Sequence, residues 1–487
     1  MNNIELNRRM LNATKWSSIT EVAAKIVSPI INMILARILA PEAFGVVATI
    51  TMIISFADIF TDAGFQKYLV QHKFKDDVEK YNNANVAFWT NIGISFLLWG
   101  IISLFSEPLA RLVGNSGLGN VIAIACVQLP LTAISSIQMA LYRRDFNFKT
   151  LFWVRLISIF IPFFITIPMA FLGFNYWSII IGSIFGSFAN AVVLTIKSNW
   201  KPKLAYSVKI LKEMLSFSIW SLVEAISIWL TSWLDAFIIG TVLTEHYLGL
   251  YKTSTTMVNS LLALITAATT PVLFSALSIL QDNKEQFYRI FFKMQRFVSI
   301  VVFPLGIGVY LFNDLVVKIL FGNKWSEAGG VVGIWALTSA ITIIFGHYCS
   351  EVYRAKGRPK LSFLAQVLHL VVLLPVCIIS SKYGFWTLVY ARSWIRMEAI
   401  LVHFLIMKYI LGFPVLKMVS NVLPTAISAI VMGAIGYFLL QFNESIGWNL
   451  FSVFLCLIFY VGLLYLFPNI RKEIVALLKR LKPGLGQ

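Results

Sequence analysis

The sequence predicts an all-α polytopic membrane protein of about fourteen transmembrane helices, built as two pseudo-symmetric six-helix bundles plus two extra C-terminal helices. Three observations predict it. The 487 residues are 58% hydrophobic and only 13% charged, with a mean hydropathy of +0.79. The apolar residues gather into fourteen runs. The basic residues fall almost wholly on every second connection between those runs.

A spanning helix needs about 20 mainly apolar residues. The runs lie near 14–38, 43–66, 82–105, 118–141, 151–172, 176–196, 214–241, 248–279, 294–312, 329–353, 361–380, 384–407, 419–440 and 447–468. Backbone polar groups find no water in hydrocarbon, so each run closes its own hydrogen bonds as a helix. The first run is too long for a leader core and holds Glu21 and Lys25, which marks it as an uncleaved first span. Prolines interrupt several runs. Pro29 and Pro271 stand where a hinge would serve rocking, although a static kink fits them equally. Trp16, Trp177, Trp325 and Trp386 fall at run ends, as an interfacial aromatic belt requires. After the last run, the spacing of Ile470, Ile474, Leu477, Leu478 and Leu481 among basic residues suggests a short amphipathic helix on an anionic leaflet, or a solvated tail.

The net charge of +18 would suggest nucleic acid in a soluble protein. Its distribution excludes that partner. One side collects Arg8, Arg9, Lys67, Lys73, Lys75, Lys80, Arg143, Arg144 and Lys149, then Lys197 to Lys212 and Arg354 to Lys360. The other side has Arg111, Lys318, Lys324 and Lys382. The basic side is cytoplasmic by the positive-inside rule, which puts both termini there. All four cysteines, Cys126, Cys349, Cys377 and Cys456, lie inside runs, with neither disulfide nor metal-site spacing.

Two stretches of the chain resemble each other. Trp16-Ser17 with Glu21 matches Trp220-Ser221 with Glu224, and Pro41 to Gly45 matches Glu245 to Gly249. Phe105-Ser106-Glu107 with Gly114-Asn115 matches Phe312-Asn313-Asp314 with Gly322-Asn323. Tyr142-Arg143 with Lys149 matches Tyr353-Arg354 with Lys360, and Gly173 with Trp177 matches Gly384 with Trp386. The matches keep one order, and loop Gly, Trp and Arg are not explained by general apolarity. They define an N-lobe at 1–205 with spans one to six and a C-lobe at 206–412 with spans seven to twelve. Residues 413–487 carry spans thirteen and fourteen and the basic tail. Six spans is an even number, so the repeats are parallel, related by an axis along the membrane normal, and a substrate site belongs between them.

At this point the residues resemble a known family. Ile34 to Gly64 reads ILARILAPEAFGVVATITMIISFADIFTDAG. It is joined by Trp177, LGLY at Leu248–Tyr251, VLFSALS at Val272–Ser278 and FGNKW at Phe321–Trp325. Over essentially the whole chain this is similar to Wzx-type polysaccharide flippases, the colanic acid and exopolysaccharide branch of the multidrug/oligosaccharidyl-lipid/polysaccharide exporter superfamily. The resemblance implies two six-helix bundles in a V shape. It implies movement of an undecaprenyl-diphosphate-linked oligosaccharide from the inner to the outer leaflet of the inner membrane, for exopolysaccharide, capsule or O-antigen (lipopolysaccharide) assembly. The partners are then the lipid-linked substrate, membrane lipids, and the polymerase and glycosyltransferases of that assembly. A monomer is expected because the cavity lies within one chain, and no cofactor or metal is expected.

Charges inside the membrane cost about 2.5–3.5 kcal/mol on insertion scales and normally face a cavity or one another. Glu21 and Lys25 share a helix face: they neutralise each other, or Lys25 meets a substrate phosphate. Glu224 occupies the repeat position of Glu21 without a Lys four residues on. It is a coupling carboxylate or bridges a basic residue elsewhere. Asp58 and Asp62 repel on one face and suit proton or sodium coupling, unless both are simply wet. Arg392 and Arg396 share a face in span twelve with Glu398 nearby. They match a diphosphate in bidentate geometry, or pair with an acidic neighbour. Arg37 and Lys252, nearer span ends, would assist release on the outer side. His347, His369 and His403 are proton carriers with Glu351, or packing residues. The competing functions are a cation-coupled small-molecule (drug) antiporter of the same fold and an enzyme. The cationic set disfavours cationic drugs. The absence of a nucleophile–base pair, metal spacing or Gly-rich phosphate loop disfavours an enzyme.

Overall fold

The computed structural model describes residues 3–62, 64–468 and 470–471, with the side chains of 3–15, 17, 18, 21, 22, 62 and 217–221 outside that description. The expected amphipathic tail beyond Arg471 lies outside it as well. The chain is all helical, and among the described residues no strand occurs. The helices are α1 (Asn3–Ile38), α2 (Pro41–Asp62), α3 (Phe65–Gln71), α4 (Asp77–Leu104), α5 (Ser106–Leu112), α6 (Gly119–Ala125), α7 (Gln128–Arg144), α8 (Phe148–Phe171), α9 (Tyr176–Lys197) and α10 (Val208–Val242). There follow α11 (Glu245–Ile279), α12 (Lys284–Leu311), α13 (Asn313–Leu320), α14 (Ala328–Thr342), α15 (Tyr348–Ala355), α16 (Lys360–Ser381), α17 (Phe385–Trp394), α18 (Arg396–Leu405), α19 (Val415–Leu440) and α20 (Ile446–Tyr465).

Among the described residues, twelve segments are long and apolar enough to cross a membrane, with α6–α7 and α14–α15 each counting once. The chain is a multi-pass membrane protein. The other two of the fourteen expected spans fall on α1 and on α17–α18. The latter is interrupted at Ile395 and followed by a π-turn at Ile406–Ile410. Helix starts are set by local chemistry. Asp76 accepts the Glu79 N–H at 2.7 Å while Glu79 accepts the Lys75 N–H at 2.6 Å, so side chains satisfy free amides about the first turn of α4. Asn147, Asn283 and Ser445 cap α8, α12 and α20 through side-chain oxygens.

The repeat is visible in backbone geometry. Phe105 and Phe312 end α4 and α12 with nearly the same dihedral angles, φ −103 and ψ 22 against φ −100 and ψ 32. Each is followed by a short helix, α5 or α13, and then by a glycine in the left-handed region, Gly114 at φ 76 and Gly322 at φ 85. A side chain there would be strained. These short connecting helices are additions to the expected plan.

By packing, the chain divides into two compact units, Met1–Thr253 with Leu374–Leu388, and Ser254–Leu373 with Val389–Gln487. In the first, α8 packs on α9 and α1, α7 on α9 and α4, and α10 on α2 and α3. One core joins Phe65, Tyr68 and Leu69 of α3 to Phe88, Ile137, Leu141 and Trp200. In the second, α12 packs on α14 and α19, and α19 on α20. Both units turn large apolar side chains outward, among them Phe164, Phe171, Leu172, Phe454 and Leu457. Water would not tolerate that surface, but acyl chains cover it.

Glu107 of α5 sits outside the spans and holds the loop after it. Its carboxylate accepts the Gly117 N–H at 2.9 Å and the Gly119 N–H at 3.2 Å, with Arg111 at 3.6 Å. The Gly117 hydrogen bond first, then those of Gly119 and Arg111, hold its carboxyl below the usual range. A depressed carboxylate tethers the loop above its unfolded pKa, and the tether is lost as pH falls through the lower folded value. Glu107→Gln should therefore speed amide exchange at Gly117 and Gly119 at neutral pH. Unchanged exchange there would show that the loop is held by other contacts.

Candidate functional site

The second unit brings the two span-twelve arginines onto one aromatic ring. Helix α17 ends at Trp394 and α18 begins at Arg396, so the two arginines flank the break. Trp335 of α14 lies under both: the Arg396 guanidinium carbon is 4.4 Å from its ring centroid and that of Arg392 is 5.3 Å. Trp335 is held in turn by its Nε1 donating to Asn259 Oδ1 at 3.0 Å, and Arg396 Nη1 donates to Ser339 Oγ at 2.6 Å. A tryptophan face attracts cations, and here it offsets the repulsion of two guanidiniums in a largely buried place. Arg392 is 7% exposed.

Beside them, Glu398 of α18 lies 2.7 Å from His369 Nδ1 of α16. The other two intramembrane histidines also have partners. His403 Nδ1 is 3.0 Å from the Tyr353 hydroxyl, and His347 Nε2 is 3.2 Å from the Thr270 hydroxyl. Glu351 is buried and lies 3.5 Å from Arg354.

The remaining expected residues are dispersed. Glu224 of α10 lies 3.3 Å from Lys67 of α3, with both side chains about half exposed. The basic residue that meets Glu224 thus comes from a short connecting helix, 157 residues away in sequence. Asp58 of α2 accepts from the Thr61 hydroxyl at 3.5 Å, whereas the side chains of Asp62 and Glu21 lie outside the described residues. Lys25 of α1 is half-buried and Arg37 is exposed at the last turn of the same helix. Lys252 of α11 donates to the Ser232 carbonyl at 2.9 Å and stands 3.7 Å over the Trp233 ring. Asp235 is buried and accepts from the Tyr251 hydroxyl at 2.7 Å. Pro29 is buried within α1 and Pro271 exposed within α11.

One constellation in the first unit goes beyond the sequence reading. A Cβ on Gly45 would overlap the Glu245 carbonyl oxygen, and a Cβ on Gly249 would overlap the Pro41 carbonyl oxygen. Gly45 is the repeat partner of Gly249, and Pro41 of Glu245. The first turns of α2 and α11 therefore cross through a reciprocal contact, each helix pressing its glycine on the other's backbone. Small residues allow such an approach between membrane helices. A further repeat-related pair spans the same crossing, Glu42 Oε1 to His246 Nδ1 at 2.7 Å. Next to it lies a cavity of about 500 Å³ lined by Glu42, Asn115, Ser116, Asn175, Tyr176 and Glu245.

Comparison with known proteins adds to this geometry. The family of polysaccharide biosynthesis proteins matches residues 34–329, well over half the chain. The chain belongs to that family. Among curated polysaccharide biosynthesis relatives, the lipopolysaccharide biosynthesis protein WzxC of Escherichia coli strain K12 is 22% identical over 385 residues, covering 78% of this chain and 76% of the relative. Among solved structures, the lipid II flippase MurJ in an inward closed conformation has a TM-score of 0.77 at 16% identity, over 94% of this chain and 99% of that one. An inward-facing multidrug resistance MATE family transporter has a TM-score of 0.63 at 13% identity, over 80% and 96%. These two likenesses show that the chain shares the fold of those two proteins.

Proposed function

We propose that this chain moves an undecaprenyl-diphosphate-linked oligosaccharide from the cytoplasmic to the periplasmic leaflet of the inner membrane by alternating access. The product feeds exopolysaccharide, capsule or O-antigen assembly. The observation that carries this reading is the pair Arg392 and Arg396 on Trp335. Two guanidiniums kept inside a membrane protein, where charge is costly, suit a diphosphate that must itself cross. Membership of a polysaccharide biosynthesis family and the shared fold with a lipid II flippase support it.

In this reading residues 1–205 and 206–412 act as the two lobes, residues 413–487 add the last two spans, and both termini face the cytoplasm. Arg392, Arg396 and Lys25 meet the diphosphate, and Arg37 and Lys252 assist release. Glu21, Asp58, Asp62 and Glu224 couple the cycle to an ion gradient, with Glu224 leaving Lys67 to do so. Pro29 and Pro271 serve as hinges. The chain transports rather than catalyses.

The fold shared with a multidrug transporter supports a second reading, a cation-coupled drug antiporter. The arginine pair weighs against it, because like charges repel a cationic drug. In cells lacking the gene, a lipid-diphosphate oligosaccharide should accumulate on the cytoplasmic leaflet while surface polysaccharide disappears, and the intact gene should reverse both. Intact polysaccharide with no accumulated lipid would turn the assignment to the antiporter.

A further inference from the structure

At the basic end of the first unit, α1, α7, α8 and α9 enclose a cavity of about 410 Å³. Arg143, Arg155, Asn190, Ser158, Thr20 and Phe148 are among the residues lining it. Two of the hydroxyls are already used by their own helices: Ser158 donates to the Val154 carbonyl at 2.9 Å and Thr20 to the Trp16 carbonyl at 2.7 Å. Arg143 has Gln66 Oε1 at 3.0 Å but no carboxylate among the described residues. The Arg155 guanidinium has no hydrogen bond or ion pair to any described residue. The Asn190 side-chain oxygen is buried and unpartnered. Buried polar atoms nearly always find a partner, and an orphan calls for a ligand or water.

The internal repeat sharpens the point. Arg354, the counterpart of Arg143, is neutralised by Glu351 at 3.5 Å, whereas the residue at the Glu351 position in the first unit is Ala140. At the same spacing, Arg155 corresponds to Gln366 and Asn190 to Leu401. The first unit has therefore put two uncompensated guanidiniums and an amide where the second has a neutral, partly apolar set. On the same two helices, α1 and α8, the Trp16 and Phe152 ring centroids lie 5.1 Å apart in a tilted arrangement, and Lys149 lies 6.0 Å from the Trp16 ring.

We propose that this cavity binds the phosphate of an anionic lipid headgroup, with Arg155 and Arg143 on the phosphate and Asn190 accepting from a hydroxyl next to it. Guanidinium forks match phosphate oxygens, and basic pockets between spans are the usual seats of acidic headgroups. The phosphate would belong either to a resident membrane phospholipid or to the diphosphate end of a polyprenyl lipid. The site shares no residue with the Trp335 cluster and stands whatever the chain transports.

The test follows thermal unfolding of the delipidated full-length protein in detergent. It is titrated with dihexanoyl-phosphatidylglycerol, dihexanoyl-phosphatidylcholine, farnesyl diphosphate or inorganic phosphate. Arg155→Gln and Asn190→Leu install the residues of the repeat counterpart, so the fold should tolerate both. Phosphatidylglycerol should stabilise the wild type saturably, with apparent affinity falling about tenfold or more in R155Q, the loss of one charge-assisted contact. Tighter binding of phosphatidylglycerol assigns the site to membrane phospholipid, and tighter binding of farnesyl diphosphate assigns it to the polyprenyl carrier. Equal response to phosphatidylcholine, saturation by inorganic phosphate at the same concentration, or wild-type affinity in R155Q would overturn the proposal.

Discussion

Gly249→Val should abolish polysaccharide export and lower the unfolding temperature of the purified protein, and Gly45→Val should do the same. Each would place a branched side chain where a single Cβ already overlaps a carbonyl oxygen, that of Pro41 for Gly249 and that of Glu245 for Gly45. The obstacle is backbone, not the movable end of a side chain, so α2 and α11 must part. Overpacking typically costs about 1–3 kcal/mol, and here parting also removes close van der Waals contact and stretches Glu42 from His246. Alanine should act in the same direction with a smaller effect. The two sites share one contact, so the costs should not add: once the first substitution has separated the helices, the second meets more room. The double variant should unfold at a temperature close to that of the worse single one. Fully additive losses would mean that the two glycines are held by independent neighbours. If the crossing opens and closes during transport, valine favours the open form, and export should fail even in membranes cold enough to keep the protein folded.

The order and type of the helices were legible because hydropathy, basic-residue placement and the repeat all measure the same thing, the alternation of lipid and water along the chain. Short helices α3, α5 and α13 were not, since one or two turns leave no periodic signal. That gap hid the partner of Glu224, because Lys67 reads as a loop cation until α3 carries it to α10. Arg392 and Arg396 were legible as buried charge from sequence alone. Trp335 was not, because a tryptophan in an apolar run reads as packing and only the tertiary fold sets it under two arginines. The glycine crossing has a signal in the repeat. Gly45 and Gly249 stood in the repeat alignment at equivalent positions, and residues nearest a pseudo-two-fold axis must meet their own counterparts. Arg155 and Asn190 invert the lesson: they stand out because the repeat fails there.

Arg396→Ala should remove export while leaving the amount of protein in the membrane unchanged. A guanidinium inside a membrane helix is expensive to keep, and contacts to Ser339 and Trp335 orient this one. Loss of one charge-assisted contact of about 1.5–3 kcal/mol corresponds to roughly a ten- to hundredfold drop in transport. Arg396→Lys should recover only part of that, because an ammonium keeps the charge but not the planar fork. Trp335→Leu separates orientation from charge. It leaves both arginines in place and deletes the ring they share, at about 0.5–2 kcal/mol per cation–π contact. Export should fall less than in Arg396→Ala, with the substrate concentration for half-maximal rate raised more than the maximal rate is lowered. The informative comparison is Arg396→Ala made in Trp335→Leu. If Trp335 acts only by aiming Arg396, the double variant transports no worse than Arg396→Ala alone. A further loss would mean that the ring meets the substrate itself or works through Arg392. Export that survives Arg396→Ala intact would remove this cluster from the transport path.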